Sequence, residues 1–343
     1  MATSQEKTAL KIIFGAMTLG REGKTPNNII AITRVHNLKD CAEILDVFQE
    51  HGHDEVDTAR VYGGGSSEEY LGQLRWQDRG LTLDTKLSPS RTVQPGAKAY
   101  THKKSDIKPA LLESLKALQA DKVDLWYLHA PDHATPYAET LEAVDELYKE
   151  GYFTRFGISN YAAWEVAQIC ELCERNGWKK PDVYQGVYNA LQRAVEPELL
   201  PALRHYGLAF YEYNPLAGGL LTDRYRRDTE AHEEGSRFDP KRNQGAMYRS
   251  RYWNDAYFDA LDVVRPVAEK LGLTTAEAAL RWVSHHSLLR REEGDAIIIG
   301  ASSKKQLEEN LVSLEKGPLP EELVKAFDEG WALVKGVARP YFH

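Results

Sequence analysis

The stretch "EVDTARVYGGGSSEEYLG" (residues 55–72) holds three signals in close order. "EVDTA" is a short extended run that ends near Asp57, "GGG" is a breaker, and the following "SSEEYLGQL" has helical spacing. Ser66 and Glu69 stand three apart, as a capping box would need. The stretch predicts a strand, a tight turn and a helix. It could cradle a phosphate, or join two elements, or present an acid and a phenol to a ligand. The rest of the chain decides among these.

Working outward, the same alternation recurs. Apolar strand-like runs are "KIIFGAM" (11–17), "EVDTA" (55–59), "LTLDTKL" (81–87), "VDLWYLHA" (123–130), "RFGISN" (155–160), "DVYQGVY" (182–188), "AFYEYNP" (209–215) and "AIIIGA" (296–301). Amphipathic helical segments separate them: 41–52, 66–74, 107–118 with Pro109 in its first turn, 137–151, 162–177 and 197–207. A polar segment at about 216–253 precedes two helices, near 258–272 and 275–286. One more helix follows the last strand, and a helix and tail occupy 320–343.

Eight strands, each followed by a helix and with no large linker between halves, predict one α/β domain over 1–343, a (β/α)8 TIM barrel. An open doubly wound sheet also alternates. It would carry G-x-G-x-x-G in its first strand-to-helix turn, and "FGAMTLG" lacks that spacing.

The composition agrees. Of 343 residues, 42% are hydrophobic and 27% charged, enough for a large core and a solvated surface. A formal charge of −8 argues against general binding to nucleic acid or anionic membranes. No apolar run approaches the ~18 residues of a membrane span, and "MATSQEKTAL" lacks a signal-peptide core, so a cytoplasmic location is expected. Cys41, Cys170 and Cys173 build no disulfide framework; the C-x-x-C of "CELC" lies mid-helix and is expected to pack there.

In such a barrel, chemistry sits at the C-terminal strand ends. Asp57, Lys86 and His129 fall there on three consecutive strands, and Tyr62 follows in the glycine-rich turn. A lysine among apolar strand residues keeps its charge at low cost only beside an anion, and Asp57 is on the adjacent strand. Its ammonium is expected to lower the phenol's pKa by on the order of one to three units, making Tyr62 a general acid. His129 could then hold an incoming carbonyl oxygen against that hydroxyl. Each residue alone has a structural explanation; the convergence of four is harder to dismiss. His129, Asp132 and His133 of "HAPDH" do not aim together at a metal, and none is expected.

These residues lie in segments that resemble the aldo-keto reductases, most closely the aflatoxin-aldehyde reductase branch, with potassium-channel β subunits as more distant relatives. The resembling segments are "DTARVYGGGSSEEYLG", "TKL", "VDLWYLHAPD", "FGISNYAAWEVAQI", "VYQGVYNAL", "YNPLAGGLLT" and "GASSKKQLEEN", in order through most of the chain. The resemblance implies a catalytic tetrad of Asp57, Tyr62, Lys86 and His129, with Tyr62 as proton donor, and NADPH/NADP+ as cofactor. It implies that Ser159, Asn160 and Gln185 hold the carboxamide and that Tyr213 stacks on the nicotinamide. Asn214, Pro215, Leu216, Gly218 and Leu220 would face the pyrophosphate, and Ser302, Gln306, Glu309 and Asn310 the adenosine. Arg237 would meet the ribose phosphate, with Lys304 and Lys305 nearby. Tyr248 and Arg251, with Tyr62 and His129, would contact a small carbonyl substrate, and a homodimer is possible.

Two features depart from the pattern. The chain ends "YFH" where relatives tend to place arginine, and the first connection carries extra residues at about 22–40. The leading expectation is NADPH-dependent reduction of aldehydes or ketones to alcohols. A redox-regulatory subunit like the channel-associated relatives, and a Schiff-base aldolase working through Lys86, are the alternatives.

Overall fold

The computed structural model describes residues 7–23, 32–89, 99–229 and 236–343. Eight parallel strands close into a barrel in chain order. They are β1 (Lys11–Gly15), β2 (Glu55–Asp57), β3 (Thr82–Leu87), β4 (Val123–Leu128), β5 (Phe153–Ser159), β6 (Val183–Val187), β7 (Ala209–Tyr213) and β8 (Ala296–Ile299). Closure comes from β1 against β8, with Ile13 opposite Ile298. The helices are α1 (Leu38–Glu50), α2 (Ser66–Gln73), α3 (Lys104–Leu118), α4 (Tyr137–Lys149), α5 (Ala163–Asn176) and α6 (Leu199–Tyr206). After β7 come α7 (Asn243–Tyr252), α8 (Asp255–Lys270) and α9 (Thr275–His285); α10 (Lys304–Leu314) and α11 (Glu321–Val334) follow β8. This is the (β/α)8 barrel.

The period-2 alternation of each strand divides its residues between two cores. Outward residues such as Phe14, Val56, Leu83, Trp126, Ile158, Phe210 and Ile297 pack beneath the helices. Inward residues Ile13, Leu125, Tyr127, Val183, Tyr211, Ala296 and Ile298 form a smaller cluster inside the barrel. Charged groups share that interior. Glu55 on β2 reaches Arg155 on β5 at 3.0 Å, and Arg155 reaches the Tyr211 hydroxyl on β7 at 2.7 Å, contacts that cross the barrel.

Several local expectations are corrected. Helix α2 is not capped by Ser66; its N-cap is Gly65, in a left-handed conformation with no side-chain cap. The Ser66 hydroxyl instead donates to the Gly63 carbonyl at 2.7 Å, and Glu69 pairs with Arg21 at 2.5 Å, so no capping box forms. Helix α3 starts at Lys104, before the apolar spacing becomes visible, which puts Pro109 in the second turn rather than the first. The polar segment at 216–253 contains α7, whose sequence "NQGAMYRSRY" turns little more than Tyr248 and Tyr252 inward and so shows weak periodicity.

Of the extra first connection, 24–31 lies outside the described residues, as does 230–235 of the later loop. Residues 34 and 35 fold back on the end of β1, where their N–H groups donate to the Thr18 carbonyl. The cysteines are buried, and burial pushes the Cys170 and Cys173 thiols up to about 12, so they pack as inert apolar groups.

Candidate active site

A cleft of about 690 Å³ opens at the C-terminal strand ends and is lined by Asp57, Tyr62 and His129. Lys86 lies just beneath, fully buried. Its Nζ is 2.5 Å from Asp57 Oδ1 and donates to the Thr58 carbonyl at 2.8 Å. The other Asp57 oxygen accepts from Gln185 Nε2 at 2.8 Å, across the barrel. Asp57 thus receives donors on both oxygens. Burial pushes its carboxyl up, and Lys86 and Gln185 pull it back toward the ionised form.

The glycine turn sets Tyr62. Gly63, Gly64 and Gly65 all have positive φ, between 58° and 93°. A Cβ on Gly65 would lie 2.5 Å from the Arg60 guanidinium, which is itself fixed to the buried Glu68 at 2.8 Å. Only glycine tolerates that backbone at that spacing. The turn places the Tyr62 ring 5.2 Å from Lys86 Nζ and edge-on to His129, with ring centroids 5.7 Å apart.

The electrostatics differ from the expectation in one respect. The Tyr62 phenol is not lowered but raised well above 10, chiefly by burial and then by the Asp57 carboxylate. Lys86 is spent on Asp57, so its field at the phenol is largely cancelled. His129 is pushed down to about 3 by burial, with the charges of Lys86 and His343 adding to the effect, and its Nδ1 has no hydrogen-bond partner. It is a neutral imidazole.

The expected cofactor residues fall along one wall and around the far end. Ser159, Asn160, Gln185, Tyr213, Asn214, Pro215, Leu216 and Gly218 all line the cleft. Asn160 and Asn214 end their strands with φ of 66°, a left-handed conformation that asparagine accepts more readily than most residues. Asn160 donates to the His129 carbonyl at 2.9 Å and accepts from the Tyr213 hydroxyl at 2.8 Å, which fixes that ring. Leu220 is the exception: it is fully buried and outside the lining.

At the other end stand Arg237, Ser302, Gln306, Glu309, Asn310 and Lys305, whereas Lys304 does not reach the cleft. Tyr248, Arg251 and His343 line it beside Tyr213. The His343 backbone N–H donates to the Asn160 carbonyl at 3.1 Å, so the tail lies against the strand ends. The residues of "HAPDH" do not converge: His133 binds Glu165 at 2.8 Å, and Asp132 accepts from the His102 backbone at 3.0 Å.

Sequence reasoning missed two arginines of the cleft, Arg34 and Arg224. Arg34 arrives from the extra first connection and donates to Gln244 of α7 at 3.2 Å. No local pattern marks such a residue, because its place depends on how two long loops fold over the barrel. The structural role of Gln185 toward Asp57 was equally hidden, since it spans the barrel diameter.

A carboxylate, an amine, a phenol and an imidazole thus meet at the mouth of a (β/α)8 barrel, beside a long cleft with cations at one end. The family model for the aldo/keto reductase family matches residues 11–332, and the chain belongs to that family. It is 62% identical over 299 residues to an aldo-keto reductase of Pseudocercospora fijiensis, covering 87% of this chain and all of that protein. It is 50% identical to the aldo-keto reductase pigE of Monascus ruber over the whole of both chains. Aflatoxin B1 aldehyde reductase member 2 of Mus musculus is 48% identical over 311 residues, 88% of this chain and 82% of that protein.

Proposed function

We propose that the protein reduces aldehydes or ketones to alcohols with NADPH, Tyr62 giving the proton. The observation that carries this reading is the placement of Tyr62 between Lys86 and His129 on the open cleft. The residues present fit a dinucleotide. Asn214 Nδ2 and Ser236 Oγ are buried at the cleft with no partner among the described residues, and Gly218 turns with a φ of 71° where a Cβ would strike the Tyr248 ring. Arg34, Arg224, Arg237 and Lys305 supply positive charge suited to phosphates. Ser159, Asn160 and Tyr213 would hold the nicotinamide end, and Ser302, Gln306, Glu309 and Asn310 the adenosine end. When bound, the cofactor supplies the hydride.

Everything else falls to the side chains. His129, neutral and lining the cleft, can hydrogen-bond the carbonyl oxygen and hold it at the Tyr62 hydroxyl. As negative charge builds on that oxygen, it becomes a base far stronger than phenolate, since an alkoxide approaches hydroxide in basicity. A phenol held protonated by its burial is thus matched with a strong acceptor at the moment it is needed. Its high pKa also keeps it protonated at every ordinary pH. The Lys86–Asp57 pair sets an ammonium 5.2 Å from the Tyr62 ring, with most of its field offset by Asp57.

This electrostatic arrangement fixes a pH profile. kcat/KM for reduction should be flat between pH 6 and 9, because neither Tyr62 nor His129 titrates in that window. An acid limb near 6.5 would show His129 titrating as an ordinary histidine. Stability carries the opposite sign at low pH. Below about 6.5 the unfolded chain protonates His129 while the native chain does not, so stability is lost as pH falls toward about 3.

Arg237→Ala should weaken NADPH binding by about ten- to a hundredfold, the value of one charge-assisted contact, and leave NADH nearly unaffected. Fluorescence titration with both cofactors reads this directly; equal losses would place the ribose phosphate elsewhere. The functional reading itself is tested by following NADPH absorbance with a panel of aldehydes and ketones. Turnover with none of them would favour a regulatory role.

A further inference from the structure

The barrel interior below the Asp57–Lys86 pair contains a third carboxyl, Asp84. It stands opposite Asp57 in the β2–β3 register and two residues before Lys86 on the same inward face. It is fully buried, and among the described residues no N–H or hydroxyl donor reaches either of its oxygens. The groups that act on it come from the strands nearby: Glu55 and Asp57 on β2, Tyr127 on β4, Arg155 on β5 and Tyr211 on β7, with Lys86 two residues along on β3 and Lys11 of β1 beyond Glu55. The Tyr127 hydroxyl is likewise buried without a partner.

The charges of this column are already matched without Asp84. Lys86 pairs with Asp57, and Lys11 with Glu55. Arg155 is shared between Glu55 and Asp124. A further anion would have no cation of its own and would compete with Asp57 for Lys86. Burial, together with Glu55 and Asp57, pushes the Asp84 carboxyl well above the usual range, against the pull of Arg155. Glu55 is close enough to share a proton with it.

We propose that Asp84 is a positioning residue that works as a neutral acid: its O–H, given to the neighbouring Glu55 carboxylate, adds no further negative charge beside Asp57 and leaves Lys86 wholly to Asp57. Its effect on rate rests on the functional reading above; its charge state does not. The same arrangement in an ionised form would set three carboxylates against one another in a dry cavity, which the low dielectric forbids.

Three measurements on the full-length protein test this. The difference infrared spectrum between the wild type and Asp84→Asn at pH 7 should contain the carbonyl stretch of a protonated carboxylic acid; ionised carboxylate bands alone would overturn the proposal. The melting temperature of Asp84→Asn should rise relative to wild type as pH goes from 5 to 8. Unfolded Asp84 ionises above about 4 while the native residue keeps its proton, so only the wild type loses stability with rising pH. A gap that does not change with pH would overturn the claim. Finally, Asp84→Leu should lower kcat about tenfold, the loss of one hydrogen bond to a charged group, with KM and NADPH affinity unchanged. Asp84→Asn, which can still donate, should restore kcat to within about threefold. An unchanged kcat in Asp84→Leu would reduce the residue to packing. The infrared and melting arms need no turnover, so they decide the charge state even if the site proves to do other chemistry.

Discussion

Tyr62→Phe should lower kcat for carbonyl reduction by about 10²–10⁴-fold, the usual worth of a positioned general acid, while the dissociation constant for NADPH stays within error. The substitution removes one oxygen and keeps the ring that packs edge-on against His129 and lies 5.2 Å from Lys86. The cleft should therefore hold its shape. Because the hydroxyl gives its proton only as charge develops on the substrate oxygen, its loss belongs to the rate and not to cofactor binding. Pre-steady-state mixing with a small aldehyde, alongside a fluorescence titration, separates the two. Undiminished turnover would remove Tyr62 from the chemistry and the proposed mechanism with it.

Lys86→Met has the second large effect, and it falls on both stability and rate. The methionine fills most of the lysine's volume but leaves Asp57 fully buried with its Oδ1 partner gone. Breaking a buried ion pair from one side costs about 3–5 kcal/mol, most of it from the stranded charge. A denaturant titration of the variant should show that loss. The double variant Asp57→Asn/Lys86→Met removes both charges together and should recover much of the stability without recovering activity. Recovery of both would mean that the pair only fills space. Failure to recover stability would mean that the pair contributes through packing rather than through compensated charge.

Much of this molecule could be read in one dimension. The alternation of apolar runs and amphipathic segments is a local property, and eight such units with no large linker between halves close a barrel almost by count. The strand ends then follow, so Asp57, Lys86 and His129 could be placed at one mouth before any coordinates. Tyr62 followed from the glycine turn, since a backbone with three successive positive φ values is one that glycine supplies. Local reading failed where a helix had little apolar periodicity, as in α7, and where capping depended on a distant partner. Ser66 and Glu69 had the spacing of a capping box, yet Arg21 from another loop took the glutamate.

The residue order alone therefore determined the barrel, the face that carries the site and the identity of its four polar groups, because these depend on periodicities of two and 3.6 and on chain order. Only the tertiary structure decided their protonation and their partners. Gln185 reaches Asp57 across the barrel, Lys86 is neutralised by that same carboxylate, and enclosure lifts Tyr62 while it lowers His129. The physical reason is that desolvation and Coulomb energies depend on distance and burial in space, and residues 128 positions apart in sequence can be 2.8 Å apart inside a closed cylinder.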